Sequence, residues 1–190
     1  MIKSSKRAVR VALLTFTISF VISYLLQFPL VPMISVLILF LVICTGIIFD
    51  IIGTAVTAAS ETPFHAMGAD KVRGSRQAVM LIRHADKVAN FCNDVVGDIS
   101  GIISGAIIAG IVLEFTHRKM LIPRDIIEAL AIALVSAFNV GGKAMGKSYA
   151  IEKANHIVFK VGKLLSIIKF IDFDPKKNRR KGKSYSRKVR

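Results

Sequence analysis

The sequence predicts an all-α, polytopic membrane bundle, and three observations point there. Hydrophobic residues make up 53% of the 190 residues and the mean hydropathy is +0.58, more apolar surface than a soluble domain of this size needs to bury. Four apolar runs, at 11–28, 33–59, about 91–115 and about 124–142, each approach the roughly 20 residues that cross hydrocarbon. The net charge of +15 is segregated: lysine and arginine number four in 1–10, five in 60–89 and fifteen in 143–190, against none in 28–32. With four spans the basic-rich segments share one side, which the positive-inside rule makes cytoplasmic, together with both termini. The expected location is a cell membrane. The short outer loop 116–124 departs from the pattern with three basic residues.

The first run follows a basic segment, but no small-x-small cleavage site follows it, so it reads as a retained helix rather than a signal peptide. Pro29 and Pro32 then make a tight outer turn, and the first two spans form a hairpin. Beyond the second span, Ser60 is the expected N-cap of a helix with Pro63 in its first turn. A longer helix over 74–90 follows, with Ala78, Leu81, Ile82, Ala85 and Val88 on one face and Arg76, Arg83 and Lys87 off it. These two pieces suit a cytoplasmic helical insertion beneath the bundle or at the headgroups.

In the third span Gly97, Gly101 and Gly105 recur every four residues, followed by Gly110, a spacing that lets another backbone come close. Pro123 and Asp125 start the fourth, which is expected to end around 139–147. Residues 148–170 alternate apolar and basic positions with helical period, as a juxtamembrane amphipathic helix does. The end, 175–190, is a basic tail without aromatic interleaving, expected to be disordered. Such a tail suits anionic membrane lipid, at about 1 kcal/mol per basic residue near the surface, better than a specific nucleic acid.

The polar residues of the spans carry the functional reading. On an α-helix Asn90, Asn93, Asp94, Gly97, Asp98 and Gly101 share a face, and on the second span so do Asp50, Thr54 and Thr57. In the four-span topology both stripes lie in the cytoplasmic half. At about 1.5 Å rise per residue they reach one level. Ser136, Asn139 and the Gly141-Gly142 pair could add to it from the fourth span. Oxygen-only ligands suit a hard divalent cation such as Mg2+. The alternatives are that Asp94 and Asp98 pair with a buried base, for which Lys143 is available, or are protonated and hydrogen-bonded, or serve proton or other solute chemistry.

Cys44 and Cys92 lie within spans and read as small buried hydrophobes. His65, His84, His117 and His156 lack metal-like spacing. No phosphate-binding glycine loop or nucleophile motif is present, so enzymatic chemistry is not expected.

Three blocks, 49-FDIIGTAVTAAS-60, 73-RGSRQAVMLIRHADKVANFCNDVVGDISG-101 and 139-NVGGKAMGKSYAIEKANHI-157, together resemble the transmembrane domain of the CorB/CorC and cyclin-M magnesium transporter family. The resemblance covers about 33–172. It sets the expected divisions: an N-terminal basic segment and extra span over 1–32, the family-like domain over 33–172, and the tail over 173–190. It implies three membrane helices, a cytoplasmic insertion and a belt-like juxtamembrane helix, assembled as a homodimer around Mg2+. Carried over by position, the site draws on Asp50 where the family usually has serine, on Thr54 and Thr57, and on Gly97-Asp98 where Gly-Asn is usual. The family's glutamate falls on Gly53, and its acidic residue and proline before Lys143 fall on Asn139 and Gly142. Nucleotide-binding domains of the cystathionine-synthase type usually follow in the family. Residues 173–190 hold none, so control by ATP would come from a separate cytoplasmic regulatory subunit or be absent. The expected function is Mg2+ transport through Asp50, Thr54, Thr57, Asn93, Asp94, Gly97 and Asp98, with a non-transporting membrane scaffold or subunit as the alternative.

Overall fold

In a computed structural model the described residues are 2–25, 32–115 and 123–167, and their regular structure is helical throughout. α1 (Ile2–Leu25) is followed by α2 (Pro32–Ala58), whose first residue is a proline, a position where the missing N–H costs no helical bond. α3 (Thr62–Ala69) and α4 (Ser75–Arg83) form the expected insertion. α5 (Ala85–Ala89) runs through a π-helical segment, Asn90–Val96, into α6 (Gly97–Phe115). α7 (Arg124–Glu152) and α8 (Ala154–Ile167) complete the chain. The outer turn at 28–31, most of the loop 116–124 and the tail 173–190 lie outside the described residues.

Three helical stretches are long and apolar enough to cross a membrane: Met33–Ala58, Ala85–Glu114 and Asp125–Glu152. The expected fourth is not among them. α1 carries a shorter apolar stretch, Val11–Val21, and the rest of the expected span 11–28 runs into residues outside those described. The membrane stretches keep much of their apolar surface outward, with Leu130, Leu134, Phe138 and Val140 of α7 each more than 60% exposed. An apolar face of this extent is what lipid or a second protein covers.

Two apolar clusters hold the helices together. Leu39 of α2 packs with Val95, Ile99, Ile103, Ile107 and Ile111. At the other end of α2, Ala55 and Val56 pack with Phe64, Ala78, Ala150, Ala154 and Val158, drawing α3, α4, α7 and α8 together. Leu81, Ile82, Ala85 and Val88 join this second cluster, while Arg76, Arg83 and Lys87 stay outside it, so the face expected for 74–90 is the one that packs.

Local boundaries differ from expectation in three places. The helix over 74–90 is broken at His84, whose φ of −115° leaves the helical range and whose ring Nδ1 lies 3.0 Å from the Met80 carbonyl. Glu61, not Ser60, precedes α3, and the Ser60 backbone N–H donates at 3.0 Å to the Asn155 side chain, tying the end of α2 to α8. α7 passes straight through Gly141-Gly142 to Glu152. Gly142 and Gly146 let Ile47 and Ile51 of α2 pack where a Cβ would otherwise stand, so these glycines serve contact rather than helix breaking. α4 and α8 also meet backbone to backbone: a Cβ on Gly162 would lie 2.6 Å from the Gly74 carbonyl oxygen.

Candidate functional site

The glycine contacts fix how the spans are aligned. Gly46 faces Ser100 and Gly53 faces Asn93, so α2 runs antiparallel to the α5–α6 rod. Gly142 faces Ile47 and Gly146 faces Ile51, so α2 and α7 run parallel. Gly97 lies beside Lys143 and Gly101 beside Asn139. This alignment sets Asp50 opposite the Val96–Gly97 turn and between Lys143 and Lys147 of α7. A polar layer therefore separates the two apolar clusters.

The π-helical segment decides which residues of the third span enter that layer. Its turns are wider than α-turns, with the Gly97 N–H donating to the Cys92 carbonyl five residues back. Asn93 turns toward α2, with its amide oxygen over Gly53, where any side chain would collide with it. Cys92, Val95 and Gly97 are buried, whereas Asn90, Asp94 and Asp98 are exposed. The single stripe expected over 90–101 is thus split into an inner edge and an outer one. On α2 the stripe fans out similarly: Asp50 is 3% exposed, Thr54 is half-buried, and Thr57 is exposed with its hydroxyl donating to the Thr54 carbonyl at 2.8 Å.

Of the seven residues expected to form the site, the helix alignment sets Asp50, Asn93 and Gly97 at neighbouring levels of the layer, with Thr54 at its border. Thr57, Asp94 and Asp98 are exposed. The carboxylates do not converge: no group of three His, Cys, Asp or Glu side chains that could hold a metal occurs among the described residues. Gly105 and Gly110, expected at a close approach, face open space. Sequence reasoning missed Ser100, whose hydroxyl donates to the Gly97 carbonyl at 2.9 Å, and Lys147. The signal for Lys147 was its position one turn beyond Lys143 on α7.

Electrostatically the layer is unfinished. Asp50 Oδ2, Asn93 Oδ1 and Asn139 Oδ1 are buried and accept no hydrogen bond from the described residues. Lys143 Nζ donates to the Gly97 carbonyl at 2.9 Å, and Lys147 Nζ lies 3.8 Å from Asp50 Oδ2, within ion-pairing range but beyond hydrogen-bond length. A buried oxygen left without a donor costs about 1–3 kcal/mol, more when charged. Asp50 Oδ2 and Asn93 Oδ1 are hard donors of the kind Mg2+ takes, and one carboxylate with an amide oxygen is enough, since Mg2+ keeps several of its waters. Donor chemistry therefore fits the ion. The chain matches no family model, no curated protein and no solved structure.

Proposed function

We propose that this chain is a multi-pass membrane protein that binds and passes a divalent cation, Mg2+ being the ion its donors suit, with Asp50 as the anionic ligand. Asn93 Oδ1 is the second ligand, and Thr54 borders the path. One observation carries this reading: a carboxylate only 3% exposed keeps a buried oxygen free of any hydrogen-bond donor among the described residues. Such residues inside a membrane bundle ordinarily mark ion paths. Asp94 and Asp98 have no share in the proposed site. The resemblance to the CorB/CorC and cyclin-M family supports the choice of ion and a homodimeric assembly in a cell membrane, while the segregation of lysine and arginine supports cytoplasmic termini.

The test is calorimetric titration of MgCl2 into the detergent-purified chain, followed by Mg2+ flux in liposomes. Asp50→Asn, close in shape, weakens binding at least tenfold in a protein that still unfolds cooperatively, while Asp98→Ala binds as the wild type does. Wild-type affinity in Asp50→Asn removes Asp50 from the site.

A second reading has its own observation. The Lys147–Asp50 pair and the Lys143–Gly97 bond are what a static polar clamp between helices would contain. In that case the chain is a non-transporting scaffold whose basic tail engages anionic lipid or a partner. Folded wild-type protein then shows no Mg2+ binding, and deletion of 175–190 abolishes its function.

A further inference from the structure

Lys143 and Lys147 differ in how firmly they are held. Lys143 is part-buried, rooted beside Gly97 and bonded at 2.9 Å to a carbonyl that also accepts from Ser100. Lys147 has a side chain 53% exposed, and its ammonium stands 3.8 Å from Asp50 Oδ2 without bonding to it. Its neighbour Gly146 lies where α7 packs on Ile51 of α2, so the lysine stem starts close to Asp50 and can reach either the carboxylate or solvent. A flexible four-carbon stem bearing a compact, strongly hydrated charge is suited to such an exchange.

A Mg2+ ion sits about 2.0–2.1 Å from a carboxylate oxygen it binds. With Lys147 in place, the ammonium and the ion would be neighbours on one oxygen, two like charges in a water-poor layer. One must leave, and Lys147 is the group with a route to solvent.

We propose that Lys147 is a tethered competitor for Asp50, occupying the cation's place in the cation-free protein and setting the affinity of the site by the ease of its withdrawal. The inference rests on the reading that Asp50 binds a divalent cation. It adds an affinity-setting residue that touches the ligand position only while the ligand is absent. Lys143, by contrast, is a positioning group that holds the turn where the π-helical segment ends.

The experiment is MgCl2 titration by calorimetry on the full chain in detergent, with thermal unfolding followed in the presence and absence of Mg2+. Lys147→Gln removes the competitor, and binding tightens about two- to fivefold, the size expected of a half-exposed pair. Without Mg2+ this variant unfolds at a lower temperature than wild type, and Mg2+ raises its midpoint by more. Lys147→Arg keeps the charge and can close on both carboxylate oxygens, so it binds Mg2+ more weakly than wild type. Lys160→Gln, an equal charge change on exposed α8, leaves binding unaltered.

Equal affinity in wild type and Lys147→Gln, both folded, overturns the competitor role and leaves the cation site standing. Should Lys147→Gln fail to fold, the arginine variant decides, and wild-type affinity there overturns the proposal. Equal tightening by Lys160→Gln reduces the effect to surface charge and also overturns it. No binding in wild type or Lys147→Gln overturns both the competitor role and the cation site.

Discussion

Asp50 is the one carboxylate buried among the described residues, and the bundle is arranged around it without satisfying it. The glycine one turn along supplies the reason Asn93 can stand so near. Gly53→Ala places a methyl where the Asn93 amide oxygen lies, displacing that side chain and overpacking the contact, at a cost of about 1–3 kcal/mol. Asn93→Ala removes the obstacle, so the double variant recovers most of the loss. Thermal unfolding of the four proteins in a double-mutant cycle measures the coupling, and additive losses would show that the two residues do not meet. Asp50 could be picked out in the sequence because a carboxylate in an apolar run is costly to insert and so stands out against its neighbours. The partition of Asn93 inward and Asp94 outward could not, since it depends on a π-turn that periodicity of 3.6 does not register.

At the scale of elements, the insertion is held to itself by a small exposed network. Glu61 Oε2 lies 3.0 Å from His65 Nε2 and accepts from Arg83 Nε at 3.1 Å, linking α3 to the end of α4. The bond to His65, then that to Arg83, holds the Glu61 carboxyl below its ordinary value of 4.5. A depressed carboxylate pKa contributes to folding above the unfolded value and loses that contribution as pH falls through the folded one. Hydrogen-exchange protection of α3 accordingly declines as the pH drops below 4.5 in wild type. In Glu61→Gln it is already reduced at neutral pH and shows no such step. The apolar face of 74–90 was readable because one helical period places Ala78 through Val88 together. The break at His84 and the extension of α7 to Glu152 were not, because one turns on a side-chain contact of His84 with the Met80 carbonyl and the other on glycines that pack rather than break.

At the scale of the whole molecule, the described residues present three stretches able to cross a membrane and a further helix, α1, with a shorter apolar run and exposed Phe16, Phe20 and Tyr24 stacked in succession. Composition and hydropathy disclosed the all-α membrane class because lipid requires every backbone bond to be satisfied within a helix. The path of α1 was not disclosed, since a run of this length suits a span or an interfacial helix equally. Reporters at the two termini decide: the proposed four-crossing arrangement puts both on the cytoplasmic face, while opposite faces mean that α1 does not cross. A charge on the outward face of α7 tests the membrane directly. Leu134→Lys, at a position 61% exposed, costs about 2.5–3.5 kcal/mol on insertion and lowers the membrane-integrated fraction after carbonate extraction. An unchanged fraction would place Leu134 away from lipid.

The π-helical segment also makes chain length a rotational variable. Each residue of an α-helix turns the chain by about 100°. A deletion of one residue within Asn90–Val96 that rewinds the segment to ordinary α-helix would therefore act as a torsional gear rather than a simple shortening. It would swing α5 and the insertion about the third span while leaving α6 seated on α2. A one-residue gain or loss here would redirect α5 and the insertion more than many substitutions could, and the sequence Asn90–Val96 is where such a length change would be felt first.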